Sequence, residues 1–364
     1  MNSTINKSRK YNFIDLFCGV GGFSYGLEQT KRFQAVLAND IDKDMCNAFA
    51  LNFSKTKILS KSVTDIDFID IKRKNKIDVI VGGPPCQAYS FSGKRYRNDP
   101  RGSLFLEYFR AVRDIKPQIF VYENVKGLSS YKNGFILRQI RCLFQSIGYS
   151  LSVNLINAQD FGVPQFRERI FVVGYKKNFH YVFPKASKTK NFNKKPLTIS
   201  DAISDLPRVK NNMASDEYLS KPKNSYQKLM RLNAPKKLME HYAPKHNDKL
   251  LNLMRNLPEG GTKQDLPLKI RPKSGYQNSY ARLWWNKPST TITRNFGTPS
   301  SARCIHPKVD RALTTREGAR LQSFPDNYKF YGSKAKKNLQ IGNAVPPLLA
   351  KRIAESIYFT LDNS

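Results

Sequence analysis

The chain has 364 residues, 40% of them hydrophobic and 12% aromatic, enough to bury a large core and a smaller one beside it. Lys and Arg number 62 against 28 Asp and Glu, a formal charge of +34 that suits a polyanionic partner, because each neutralised phosphate releases counterions. Five cysteines at 18, 46, 86, 142 and 304, odd in number and without C-x-x-C spacing, exclude a disulfide framework and a zinc site and fit a reducing cytoplasm.

The first ten residues are polar and basic and lack the apolar segment of a secretory signal. No apolar run approaches membrane-spanning length, so a soluble cytoplasmic protein is expected. Residues 13–17 (FIDLF) predict a strand, followed by a glycine turn at 18–22 and a helix from about Phe23. Strand, glycine turn and helix open a nucleotide-type fold, in which the backbone can approach a ligand at the helix N-terminus. A second strand is predicted at 35–38, ending at Asn39-Asp40. Asp40 falls 21 residues after Gly19, about the spacing at which an acid meets ribose hydroxyls.

Residues 78–81 predict a short buried strand that runs into Gly82-Gly83-Pro84-Pro85, a stiff loop that presents Cys86. Further strands are predicted at 119–122 and 170–173, and helices at 104–114 and 135–146. This alternation predicts an α/β fold with a parallel-rich, Rossmann-like sheet and ligands at the strand carboxyl ends. After about residue 184 the chain becomes rich in lysine, asparagine and proline, with scattered aromatics such as Trp284 and Trp285. That predicts irregular, loop-rich structure suited to phosphates and base edges. A helix over 314–322, capped by Thr314 or Thr315, comes next. The chain ends in a glycine turn at 340–343 and a helix with proline in its first turn, whose apolar face needs the first domain's sheet.

The blocks DLFCGVGGF, GGPPCQAYS, ENVKGL, QFRER, RALTTREGARLQSFPD and QIGNAVPP, in this order, resemble the DNA (cytosine-5-)-methyltransferases of type II restriction–modification systems. The resemblance runs from about residue 12 to 358, with residues 184 to 280 lacking a clear counterpart. It implies a SAM-dependent catalytic domain of residues 1–183 plus 338–364, a target-recognition domain over 184–310 and a hinge over 311–337. It also implies methyl transfer from S-adenosyl-L-methionine to carbon 5 of a cytosine flipped out of a specific double-stranded DNA site. By analogy, the modification protects host DNA from a separately acting restriction endonuclease, and a monomer is expected.

Carbon 5 of cytosine is a poor nucleophile. Adding a thiolate to carbon 6 turns the ring into an enamine whose carbon 5 can attack a methyl sulfonium. Cys86 is the expected nucleophile. The charge that this puts on the ring must be relieved at N3 by an acid that carries or shares a proton, and Glu123 is the candidate. Arg167 and Arg169 repeat at the strand period. The resemblance gives Arg169 to the base oxygen O2 and Arg167 to the support of the catalytic loop. For the cofactor it implies Phe17, Gly19, Gly22, Asp40, Ile41, Gly83, Leu104, Asn343 and Val345. Where the family usually has an acid for the adenine amino group, Ser62 or Asp65 falls here, and a serine offers only a neutral hydrogen bond. Pro85, Gln87, Ser90 and Asn124 are implied for the substrate, with the loop through Gly93-Lys94-Arg95 closing on the phosphate backbone.

An NAD oxidoreductase would also use the glycine turn and Asp40, but leaves Cys86, Glu123 and the paired arginines without a role. Transfer-RNA cytosine methylation and nucleic-acid binding without catalysis are two competing readings. If Cys86 is the nucleophile, Cys86→Ala should abolish methyl transfer while DNA binding persists. Retained turnover by that variant, followed with a tritiated methyl donor, would remove the cysteine from the mechanism.

Overall fold

The computed structural model describes residues 9–85, 104–130, 134–186 and 195–363, which form two compact units. The first comprises residues up to Asn157, Glu168–Ala186 and the stretch from Pro347 onward; the second comprises Ala158–Arg167 and Ser187–Pro346.

The first unit is built on a seven-stranded sheet. In chain order its strands are β1 (Tyr11–Leu16), β2 (Phe33–Asp40), β3 (Lys57–Ser60), β4 (Val79–Gly82), β5 (Ile119–Val125), β6 (Tyr149–Asn157) and β7 (Glu168–Lys176). Their spatial order is β3-β2-β1-β4-β5-β7-β6. The first five are parallel, and β7 enters antiparallel between β5 and β6. Strand order reverses between β1 and β4. The connections after those two strands therefore leave side by side at the carboxyl edge, where open α/β sheets bind ligands.

Side-chain chemistry explains the arrangement. β4 and the central part of β5 are buried along their length, and the buried run of β-branched and aromatic residues suits a strand covered on both faces. Tyr108, on the helix Leu104–Ile115, donates its hydroxyl to the carbonyls of Val121 (2.7 Å) and Ile80 (3.2 Å), tying β5 to β4 from within the core. Opposite Phe120 stands Gly174, and a Cβ there would lie 2.0 Å from the Phe120 ring, so only glycine lets that ring cross β7. The closing helix Pro347–Asp362 packs on the helix Gly22–Glu28 at Gly26, where a Cβ would come within 2.4 Å of the Ala350 Cβ.

The strand positions read from sequence recur within a few residues. Two edge strands, β3 and β6, add to the predicted set. β3 is short and has no fully buried residue, and β6 is mostly half-buried, so neither carries a strong apolar pattern. The antiparallel entry of β7 is likewise a matter of tertiary pairing. The segment 340–343, predicted as a glycine turn, instead ends the helix Lys334–Asn343. Gly342 serves close approach there: a Cβ would meet the Thr293 carbonyl carbon and the Arg294 nitrogen at 2.4 Å.

The second unit has short helices, among them Ile199–Ile203, Ser225–Met230, Asp248–Arg255 and Thr315–Leu321, and a two-stranded ladder of Ala281–Arg282 with Arg303–Ile305. Thr314 caps the helix Thr315–Leu321 in a capping box with Glu317. Irregular backbone leaves carbonyls without ladder partners, and buried guanidinium groups supply donors to them. Arg282 bonds the carbonyls of Leu257 and His306, Arg303 those of Gly260 and Arg282, and Arg311 that of Val209. Arg311 also forks onto Glu317 at 2.8 Å, and Arg320 pairs with Asp205 and Asp326. Part of the chain's basic surplus is thus internal.

One buried acid distinguishes β1. Asp15 is 2% exposed and accepts the Ser24 hydroxyl at 2.6 Å, and burial pushes its pKa up to about 7. Between the ordinary carboxylate value and about 7, the folded chain keeps a proton that the unfolded chain has released. This site's contribution to stability is therefore present at low pH and lost as pH rises through that window. Between pH 5 and 8 the loss should be roughly 2–3 kcal/mol, and Asp15→Asn should abolish it. Denaturant titrations at the two pH values would contradict this if wild type and variant lost equal stability.

Candidate active site

The predicted site residues of the first unit gather at the carboxyl edge of its sheet. β1 ends at Leu16, and Phe17 (φ 58°), Gly19 (φ 52°) and Gly21 (φ 88°) carry the chain through left-handed conformations into the helix Gly22–Glu28. A Cβ on Gly19 would meet nothing within 4 Å, so the loop's backbone faces open space at that point. Asp40, at the end of β2, braces this loop: its Oδ2 accepts the Gly19 N–H at 2.9 Å, and its Oδ1 accepts the Asp42 N–H at 3.0 Å. Burial raises the pKa of the Asp40 carboxyl and these two N–H donors oppose the rise. A carboxylate has about four acceptor positions, so capacity is left for a ligand.

Beside it Ile41 is 73% exposed, an apolar side chain standing at the strand end. Asn39, buried on the same strand, donates to the Leu59 and Lys61 carbonyls and so fixes the turn that leads to Ser62. Ser62 caps the turn Val63–Asp65 and shares a 2.7 Å hydrogen bond with Thr64, whose hydroxyl donates to Asp65 at 3.0 Å. The two candidates for the adenine contact are thus joined through Thr64. Leu104 begins the helix Leu104–Ile115 and is half-buried.

The second half of the edge is formed by β4, β5 and β7. Glu123, near the end of β5, is paired with Arg169 on β7, with Nε 3.2 Å from Oε1 and both side chains largely buried. The antiparallel register makes this pairing: Val125 stands opposite Arg169 and Glu123 opposite Phe171, so the acid and the arginine share a face. Arg169 also donates to the Glu168 carbonyl at 2.7 Å. Burial lowers its pKa and Glu123 opposes the shift, but an arginine stays cationic at any physiological pH.

Gly83, the first residue past β4, touches this acid: a Cβ there would lie 2.9 Å from Glu123 Oε2. Asn124 is buried and donates from Nδ2 to the Pro84 carbonyl (3.2 Å) and to the Tyr122 hydroxyl (3.1 Å), while its Oδ1 accepts the Val125 N–H. It therefore clamps the root of the loop that leads through Pro85 toward Cys86. Cys86, Gln87, Ser90 and residues 93–95 lie outside the described residues.

The two arginines fall in different units and have different partners. Arg167 belongs to the second unit, where it is 2% exposed and donates to the carbonyls of Ile292, Gly342 and Ala344 at 3.1 Å each. Gln165 and Gln322 join this network: Gln165 accepts the Ile292 N–H and Gln322 donates to the Ile341 and Ala344 carbonyls. The segment carrying Asn343 and Val345 is held by these bonds within the second unit. Sequence reasoning misses Asn39 and Gln322, whose amides hold turns and mark no chemistry of their own.

A glycine loop braced by an acid, and a carboxylate–arginine pair under a proline loop, on a sheet with one antiparallel strand, define a methyltransferase of the α/β class. The profile of C-5 cytosine-specific DNA methylases matches residues 11–358, and the chain belongs to that family. It is 36% identical to the type II methyltransferase M1.HphI of Haemophilus parahaemolyticus, over 95% of this chain and 86% of that one. It is also 34% identical to the type II methyltransferase M.DdeI of Desulfomicrobium norvegicum, over 97% and 89% of the two chains. Among solved structures, a prophage-encoded DNA modification methyltransferase of E. coli superposes with a TM-score of 0.78 at 28% identity, covering 97% of this chain and all of the other. The S. pombe Dnmt2 methyltransferase shares the fold, with a TM-score of 0.65 at 16% identity. The chain is thus a DNA (cytosine-5-)-methyltransferase, which sets aside the oxidoreductase and transfer-RNA readings.

Because Gly83 makes room for the Glu123 carboxylate, Gly83→Ala should push that group off Arg169. Methyl transfer should fall roughly tenfold to hundredfold, and the melting temperature should drop because a largely buried ion pair is broken. Wild-type turnover in the variant would contradict the close approach.

Proposed function

We propose that the chain methylates carbon 5 of a cytosine flipped out of one short, specific duplex site, through a transient bond from Cys86 Sγ to carbon 6. The reading rests above all on the Glu123–Arg169 pair lying against Gly83, at the root of the loop that continues to Cys86. Glu123 carries the proton to N3 as the thiolate adds, and Arg169 both orients that carboxylate and offers donors to the base oxygen O2. Asn124 has its amide engaged with Pro84, Tyr122 and Val125, which supports a positioning role for it: it fixes the loop from which the nucleophile projects. Roles for Pro85, Gln87 and Ser90 at the substrate, and for Arg167 in supporting the catalytic loop, rest on the family resemblance.

S-Adenosyl-L-methionine is the proposed cofactor, and it supplies a methyl group on a sulfonium. The open backbone at Gly19, the remaining acceptor capacity of Asp40 and the exposed side chain of Ile41 fit a nucleoside with a ribose diol and a flat base. Phe17, Gly22 and Gly83 lie in the sequence blocks that the family shares, Leu104 is assigned on the resemblance, and Ser62 or Asp65 is the proposed partner of the adenine amino group. Asn343 and Val345 are assigned to the cofactor on the resemblance alone. No helix among the described residues is long and apolar enough to cross a membrane. A cytoplasmic monomer that protects host DNA from a separate restriction endonuclease is the proposed setting. The catalytic part is proposed as residues 1–183 plus 338–364, with target recognition over 184–310 and a hinge over 311–337.

Bisulfite sequencing of a plasmid from cells expressing the chain should leave cytosines unconverted at one position of one short motif. The same experiment with Glu123→Gln should show methylation reduced roughly a hundredfold or more, with the cofactor's effect on melting temperature retained. Complete conversion with the wild-type chain would overturn the reading.

A further inference from the structure

Residues 273–278 of the second unit form the longest uninterrupted exposed run among the described residues. Long exposed runs are ordinarily loose, but this one is built. Ser279, 1% exposed, closes a turn over 276–279: its Oγ accepts the Tyr276 N–H at 3.1 Å and its own N–H reaches the Tyr276 carbonyl at 3.0 Å. Gly275 (φ 105°) turns the chain into it, and a Cβ there would lie 2.9 Å from the Ser279 Cβ. Lys263 Nζ ties the approach by donating to the carbonyls of Gly275 (2.7 Å) and Ser274 (3.3 Å). Beyond the turn, the Tyr280 N–H is held by the Pro299 carbonyl at 2.6 Å.

What this scaffold presents is chemically specific. Tyr276 is 78% exposed, a large aromatic that the unit's own core does not take up. Gln277 is exposed and its amide has no hydrogen-bond partner among the described residues. Asn278, also exposed, is steadied by Arg303 Nε at 3.4 Å. Lys269 and Lys273, both exposed, precede the tip in the chain, and the acid of this stretch, Asp265, is engaged by the Thr262 N–H and hydroxyl. A rigid tip with a free amide, an aromatic face and cations just before it in the chain has the composition of a base-reading element: amides pair with base edges in the major groove, and lysines take phosphates.

We propose that the turn 276–279 reads bases of the duplex target, with Gln277 the specificity-determining side chain, Tyr276 packing beside it and Lys273 contacting a phosphate. This deepens the functional reading above and rests on it. The test is methylation of a duplex library randomised around the wild-type site, read by sequencing. In Gln277→Ala, discrimination should fall about tenfold at one base position and persist at the others. Lys273→Ala should instead weaken binding evenly across sequences and lower the salt slope by about one. A normal melting temperature for both variants is expected because the substituted side chains are exposed. If Gln277→Ala and Tyr276→Ala both keep the wild-type preference at every position, the turn does not read the target and the inference falls alone. If the wild-type chain methylates no library member, the functional reading fails and this inference with it.

Discussion

The geometry of the catalytic edge depends on one pairing, the antiparallel seating of β7 against β5. A one-residue slip would carry Arg169 to the other face of the sheet and away from Glu123. Removing one partner of such a pair costs about 3–5 kcal/mol, far more than an exposed salt bridge contributes. The carboxylate is therefore fixed in place by the register itself, and Gly83 leaves it just enough room. Asn124, the next residue along β5, uses the same strand to clamp Pro84. Acid, counter-ion and loop root are all set by a short stretch of two adjacent strands.

The cofactor side follows the same logic with weaker forces. Asp40 is held at the end of β2 and in turn holds the glycine loop at the end of β1, so the loop's left-handed turns are stabilised by a neighbouring strand. An acid found at a ribose-binding spacing thus braces the glycine loop, which its sequence position alone does not reveal. In the second unit the organising force is different. With little regular secondary structure, buried arginines bridge the chain's carbonyls and a few acids. A charge count therefore overstates the surplus available to DNA, although lysines such as Lys269 and Lys273 remain exposed.

Much of the fold and the site is legible in the sequence. Buried strands carry dense apolar runs, so β1, β2, β4 and β5 can be placed to within a few residues, and the helix Phe135–Ser146 at its observed bounds. Glu123 and Asp40 stand out because acids at strand ends carry chemistry, whereas Gly83 is singled out by the family resemblance. What escapes is set by tertiary pairing. Edge strands β3 and β6 have weak patterns, and the direction of β7 is decided by its neighbours. Spacing alone does not separate Arg167 from Arg169, to which the family resemblance gives different roles; one guanidinium bonds carbonyls of the second unit and the other meets Glu123. The glycine of QIGN resembles a turn, because sequence does not distinguish left-handed backbone from the close approach that Gly342 makes to residues 293 and 294.

In the proposed mechanism a sulfur atom of this chain bonds the target base while Glu123 and Arg169 hold the ring. A duplex carrying 5-fluorocytosine at the methylated position, incubated with enzyme and methyl donor, cannot complete the elimination that releases the protein. Mass spectrometry of the digested product should find the oligonucleotide attached to the peptide containing residue 86. A complex that binds this duplex and donor yet yields no adduct, or one attached elsewhere, would contradict the account.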